Sequence, residues 1–211
     1  LDIDGGTDIG AALVDADLMI VDDGAGGTNR KATMSRLATY MGGKITGGAY
    51  NLLQTVTASD DATVSIGSSS LLTTAYSVYE IHVTGLIPAT DNAALQGRVE
   101  IGGSIISASN YEYWLFNVVS NSTTVSAVRA TSVTFFQIVS SMNNPSSGAT
   151  NFVMRFYNPA STALLKTWDY SGSSKDNNLT RIRLITGAAG YTTGTAALTG
   201  YNFFASSGNI T

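Results

Sequence analysis

The sequence predicts an all-β fold: a jelly-roll-like antiparallel β-sandwich preceded by a small β-hairpin/short-helix N-terminal module. Three observations predict it. Apolar and polar residues alternate with period two through much of the chain after Tyr50, the pattern of half-buried strands. Clusters of Gly, Asn, Ser and Asp interrupt these runs at spacings near the roughly 8–12 residues of sandwiches and barrels. Charged residues make up only 12% of the 211 residues while hydrophobic ones reach 44%. Ser, Thr, Gly and Asn replace the missing charge, and they suit strands and turns better than helices.

The clearest alternation runs through Tyr76–Thr84 and Ala94–Ile101. In the first arm Tyr79, Ile81 and Val83 share one face, with Glu80, His82 and Thr84 on the other. In the second, Leu95, Val99 and Ile101 oppose Gln96, Arg98 and Glu100. The polar loop between them, through Pro88 and Asn92, reads the two arms as an antiparallel pair.

Residues 1–45 form a different unit, rich in Asp. Asp8 is placed to cap a helical turn through Val14. Leu18–Val21 and Lys31–Met34 read as a hairpin. Ser35–Met41 reads as a short helix capped by Ser35 or Thr33 and ended by Gly42-Gly43. Such a unit has little core and needs a neighbour or an identical copy. Residues 46–49 form a linker, and 50–211 the sandwich.

Within the sandwich, strands are expected over Tyr50–Thr57, Ala62–Ile66, the two arms above, Tyr111–Val119, Thr123–Arg129, Val133–Val139, Asn151–Tyr157, Leu164–Tyr170, Leu179–Ile185 and Ala196–Phe204. Ser171–Ser174 reads as a turn. Tyr111–Val119 is the most aromatic strand and is apolar on both faces. It is therefore central, or covered by a partner subunit. No long helix separates the strands, so parallel crossovers are not expected.

Composition also sorts function. The net charge is −4, and the densest basic spots are Asn29-Arg30-Lys31 and Arg181-Ile182-Arg183. Phosphate neutralisation needs a basic stripe, so nucleic acid is not an expected partner. No apolar run reaches the length of a membrane span, so membrane insertion is not expected. The chain has no Cys, which removes thiol catalysis and thiolate metal sites. So few charges leave a monomer poorly protected against association, and an obligate oligomer is expected.

Chemistry-bearing motifs are weak. Gly24–Asn29 follows an apolar strand but lacks the glycine spacing of a dinucleotide site, and Asp22-Asp23 would repel a phosphate there. His82 is the single histidine and is read as a surface partner of Glu80, Arg98 or Glu100. Asp22-Asp23 and Asp60-Asp61 are adjacent, but strand neighbours face opposite ways, so adjacency is not glycosidase geometry. Asp2-Ile3-Asp4 and Asp15-Ala16-Asp17 echo calcium-loop spacing without its closing Glu. No catalytic residue, cofactor or metal is expected from these patterns.

The segment Asp15–Leu37 joins "DADL", an apolar strand, an acidic Gly-rich turn and "RKATMSRL". It resembles a short module in fibre and other virion proteins of tailed bacteriophages. Tyr76-to-Tyr79, the Pro88-Ala89-Thr90-Asp91 loop, Gly102-Gly103 and the late Ser207–Thr211 are similar in style to phage fibre sandwiches. The resemblance implies a non-enzymatic structural protein of the virion surface, on tail or capsid. It would be a fibre or appendage component in host attachment, homotrimeric, touching other phage virion proteins and a host cell-surface glycan. The same residues leave open a capsid decoration protein or head fibre, a tailspike-like glycan hydrolase and a carbohydrate-binding module. Surface-binding or subunit-contact loops are expected at Pro88, Thr90, Asp91, Asn92, Asn143, Asn144, Ser173 and Lys175.

Overall fold

The computed structural model describes residues 10–22, 29–44, 50–145, 148–175 and 181–211. The chain divides into two units, Leu1–Leu52 and Leu53–Thr211. The expected linker at 46–49, the helical cap at Asp8, Asp2 and Asp4, and the Gly-rich turn at 24–28 fall outside the described residues.

The first unit pairs β1 (Leu18–Asp22) with β2 (Asn29–Thr33) as an antiparallel hairpin, Leu18 opposite Thr33 and Ile20 opposite Lys31. The helix α1 (Met34–Lys44) follows directly. It runs through Gly42 and Gly43, where a stop was expected. The "DADL" turn is built into this unit. Asp17 accepts the Val14 amide on Oδ2 at 2.8 Å, and its carbonyl accepts the Met34 amide at 2.9 Å. Gly10–Val14 forms no helical turn.

The second unit is an antiparallel sandwich. One sheet has six strands in the order β4 (Val78–Leu86), β10 (Thr150–Tyr157), β11 (Lys166–Lys175), β12 (Ile182–Tyr191), β7 (Tyr111–Val119), β8 (Ser126–Val133). The other runs β3 (Val64–Ile66), β13 (Gly200–Ala205), β5 (Leu95–Ile101), β6 (Ser104–Ile105), with β9 (Phe136–Val139) also paired to β5. Alternation does in the structure what it promised. Tyr111, Tyr113 and Leu115 are buried while Glu112, Trp114 and Phe116 face out.

One core joins the sheets, and aromatic rings form its seam. Phe136 of β9 meets Trp168 of β11 at 4.8 Å between centroids, and Phe156 of β10 meets Tyr201 of β13 at 3.6 Å. Two tyrosines also tie the sheets by hydrogen bonds. The Tyr111 hydroxyl donates to the Ile106 carbonyl at 2.7 Å and accepts the Val99 amide at 3.0 Å. The Tyr170 hydroxyl donates to the Gln137 carbonyl at 2.6 Å.

Three expectations are corrected. Tyr76–Thr84 and Ala94–Ile101 are not a hairpin: β4 pairs with β10, and β5 pairs with β13, β9 and β6. The intervening loop crosses from one sheet to the other. Period two specifies the buried face of each strand, and two facing sheets satisfy it as well as one hairpin does. Residues 50–57 form no strand. Ser171–Ser174 is not a turn but continues β11 opposite Phe152, Val153 and Ile185. Gly172 is required there, because a Cβ would lie 2.5 Å from Phe152 Cβ.

Candidate functional site

The eight residues expected in surface loops all gather at one end of the sandwich. β10 starts beside Leu86, where the β4–β5 connection leaves its sheet, and Ser173 lies opposite Asn151 on the next strand. Lys175 pairs with Ile182 at the same end. Backbone and side-chain bonds lock two of these loops together. Asn92 donates its amide to the Met142 carbonyl at 2.9 Å, and Met142 donates to Ala93 at 2.8 Å. Ser141 Oγ donates to Asn92 Oδ1 at 3.1 Å, and the Asn144 amide reaches Asp91 Oδ1 at 3.4 Å. Asn92 holds φ 63, a left-handed conformation that Asn tolerates better than most residues.

The C-terminal segment clamps this end. Ile87 and Thr211 exchange backbone bonds of 2.9 and 2.8 Å, and Ala89 donates to Asn209 at 2.8 Å. On its other side Ile210 exchanges bonds with Asp61, and Asn209 Nδ2 donates to Asp60 Oδ1 at 3.0 Å. The Pro88–Asp91 and Ser207–Thr211 elements are thus neighbours in space. Their Asp60-Asp61 companion is a turn that receives backbone amides, which is its structural use. Pro88 and Asn143 are buried, so these two hold the loops in shape. Thr90, Asp91, Asn92, Asn144 and Ser173 are exposed, and Lys175 is half-buried.

The outer face of the six-stranded sheet carries the densest charge constellation among the described residues. Arg155 Nε donates to Glu80 Oε1 at 2.8 Å, and Arg155 Nη1 lies 3.5 Å from Asp169 Oδ1. Tyr157 donates its hydroxyl to Asp169 Oδ2. His82 Nε2 meets Glu80 Oε2 at 2.8 Å along the same strand. Of the partners expected for His82, Glu80 is the one observed. Arg98 lies in the other sheet, donating to the Thr134 carbonyl at 3.0 Å and covering the Phe204 ring at 4.5 Å. The hydrogen bond donated to Glu80 and the Glu80 charge, with Asp169 beyond, push the Arg155 pKa up. The hydrogen bond to Asp169 does the same to Tyr157. Two carboxylates about one guanidinium form a partly exposed ion-pair network, the kind that contributes little to stability on its own.

A cleft of about 440 Å³ lies beside β4, lined by Thr55, Ala58, Val64, Val83, Leu86 and Phe203 among others. Among the described residues, His82 is the single titratable side chain in its wall. Other perturbed groups serve packing. Burial pushes the Tyr111 hydroxyl up to about 12 and raises Tyr113, Tyr170 and Tyr201. Burial lowers Lys166, whose ammonium donates to the carbonyls of Ser161 (2.5 Å), Leu164 (2.7 Å) and Thr195 (3.3 Å). Among the described residues no group of three or more His, Asp or Glu is placed to hold a metal ion, and no helix is long and apolar enough to cross a membrane.

Sequence reasoning missed the Arg155–Glu80–Asp169 network. Each member stands on the polar face of a different strand, and only strand order makes them neighbours. Comparison with family models, curated proteins and solved structures finds no match to the chain.

Proposed function

We propose that this chain is a non-enzymatic structural protein of a tailed-bacteriophage virion, a fibre or appendage component involved in host-surface attachment. One observation carries the reading. No described residue of the first unit is buried, and several of its apolar side chains stand uncovered: Leu18 and Ile20 are each 58% exposed, Tyr40 62% and Met41 41%. A hairpin and one helix with that surface are built for contact with other subunits rather than for independent existence. The resemblance of Asp15–Leu37 to the virion module falls on this same unit. The sandwich supplies a rigid body with loops clamped at one end. There Thr90, Asp91, Asn92, Asn144 and Ser173 are available to a host glycan or to a neighbouring virion protein.

Sedimentation equilibrium of the full chain and immunogold labelling of the particle test the proposal together. A homotrimer and gold on a tail fibre are the expected results. Gold confined to the head selects the capsid decoration or head-fibre reading. A monomer at micromolar concentration, with particles left unlabelled, ends the proposal.

A further inference from the structure

The outer face of the six-stranded sheet carries an uncovered apolar stripe. Trp114, Phe116 and Val118 project from it at alternate positions of β7, with Trp114 48% and Phe116 37% exposed. Their rings are near-parallel, 18° apart in plane and 6.1 Å between centroids. The flanking strands extend the stripe. Leu184 lies opposite Val118 and Ala188 opposite Trp114 on β12, and Ala127 lies opposite Phe116 on β8. Leu184 and Ile182 are more than half exposed. A contiguous apolar surface of this kind marks a contact site.

The flanks of the stripe differ in charge. Read across the sheet through Trp114, the register runs Arg129 on β8, Trp114, Ala188 on β12, Asp169 on β11, Arg155 on β10 and Glu80 on β4. A cation stands on one side and a carboxylate on the other. The Arg129 guanidinium lies over the Trp114 ring, 5.4 Å from its centroid. Asp169 already receives Tyr157 and approaches Arg155, yet an ionised carboxylate has about four acceptor sites and room for another guanidinium.

Now lay a second copy stripe against stripe, its strands running the same way about an axis parallel to β7. The order of strands is reversed between the two copies. β8 of one then falls over β12 and β11 of the other, and Arg129 of one copy comes to Ala188 and Asp169 of the next. Charge complementarity is thereby satisfied by the chain itself, in a two-fold or three-fold arrangement about that axis. A polyanion would meet Asp169 and Glu80, and a purely apolar partner would bury Asp169 without a new counter-charge. We infer that the Trp114–Phe116–Val118 stripe is the face on which a second copy of this chain docks, with Arg129 pairing to Asp169 between copies. This rests on the appendage reading for the expectation of a cyclic assembly, and it names a contact surface of the sandwich that the reading leaves open.

The absence of Cys makes cross-linking a clean test. The full chain carrying Arg129→Cys and Asp169→Cys together is treated with a short thiol-specific cross-linker at micromolar concentration. Covalent multimers are expected from the double variant and not from either single one. In sedimentation velocity, Trp114→Ala with Phe116→Ala should weaken assembly at least ten-fold. Arg129→Asp should also weaken it, and Arg129→Asp with Asp169→Arg should restore it. Circular dichroism reports whether the variants fold, and the cross-linking stands if the alanine pair does not. An oligomer that persists through these changes and yields no covalent multimers overturns this inference and leaves the appendage reading intact. A wild-type monomer overturns this inference, and the appendage reading falls with it only if the particles are also unlabelled.

Discussion

Tyr170 and Gly187 interlock across β11 and β12. They are register partners, and a Cβ built on Gly187 would fall 2.4 Å from the Tyr170 hydroxyl and 2.3 Å from the Trp114 carbonyl. The ring occupies the volume that a side chain at position 187 would need. Its hydroxyl then reaches the Gln137 carbonyl of the opposite sheet at 2.6 Å. Gly187→Ala should therefore lower stability by about 1–3 kcal/mol, the cost of overpacking a fitted core. Chemical denaturation reads it as a lower midpoint with unchanged slope. A midpoint equal to wild type would show that the ring moves aside freely.

Two buried tyrosines should respond oppositely to loss of the hydroxyl. Tyr111 bonds Ile106 and Val99, so Tyr111→Phe leaves a buried carbonyl and amide without that partner and should cost about 1–3 kcal/mol. The Tyr201 hydroxyl is buried with no hydrogen-bond partner among the described residues. Tyr201→Phe should leave stability unchanged or raise it by up to about 1 kcal/mol. Thermal melts of the two variants side by side decide the matter. Equal losses would contradict the assignment.

Alkaline pH should unfold the sandwich through its tyrosines. Burial raises Tyr111 from 10.0 to about 12, and raises Tyr170 and Tyr201 as well. The neutral phenol is favoured in the fold, so these groups contribute their full stability below pH 10. That contribution falls as pH rises from 10 towards 12, because the unfolded chain ionises first. Ultraviolet titration should show the exposed tyrosines ionising first and a second, cooperative step that coincides with loss of circular dichroism. A single smooth titration with the fold intact would refute it.

Lys166 is 1% exposed and holds three carbonyls from two loops. Lys166→Met keeps the volume but withdraws the donors. It should cost about 1–3 kcal/mol and speed amide exchange selectively in residues 158–165 and 192–199. Hydrogen-exchange mass spectrometry checks the location. Uniform acceleration throughout the sandwich would argue against a local clamp.

Alternation in the sequence determined which residues of each strand face the core. Tyr79 and Ile81, Leu95 and Val99, Tyr111 and Leu115 are all buried as that pattern requires. Pro88–Asn92 and Asn143-Asn144 were legible as loops through their Pro, Asp and Asn content, whereas Ser173 and Lys175, expected in a loop, lie in β11. Tyr111–Val119 was legible as a strand apolar on both sides. Tertiary structure alone decided the rest. It placed β4 and β5 in different sheets, drew Thr90, Asp91, Asn92 and Asn144 to one end beside Ser207–Thr211, and set Arg129 and Asp169 on opposite flanks of Trp114. The physical reason is that period two reports a strand's buried face and carries no record of which edge its backbone will pair along. Gly172 shows the same limit. Locally it reads as a turn residue, and only the Asn151-Phe152 backbone pressed against it makes it a strand residue.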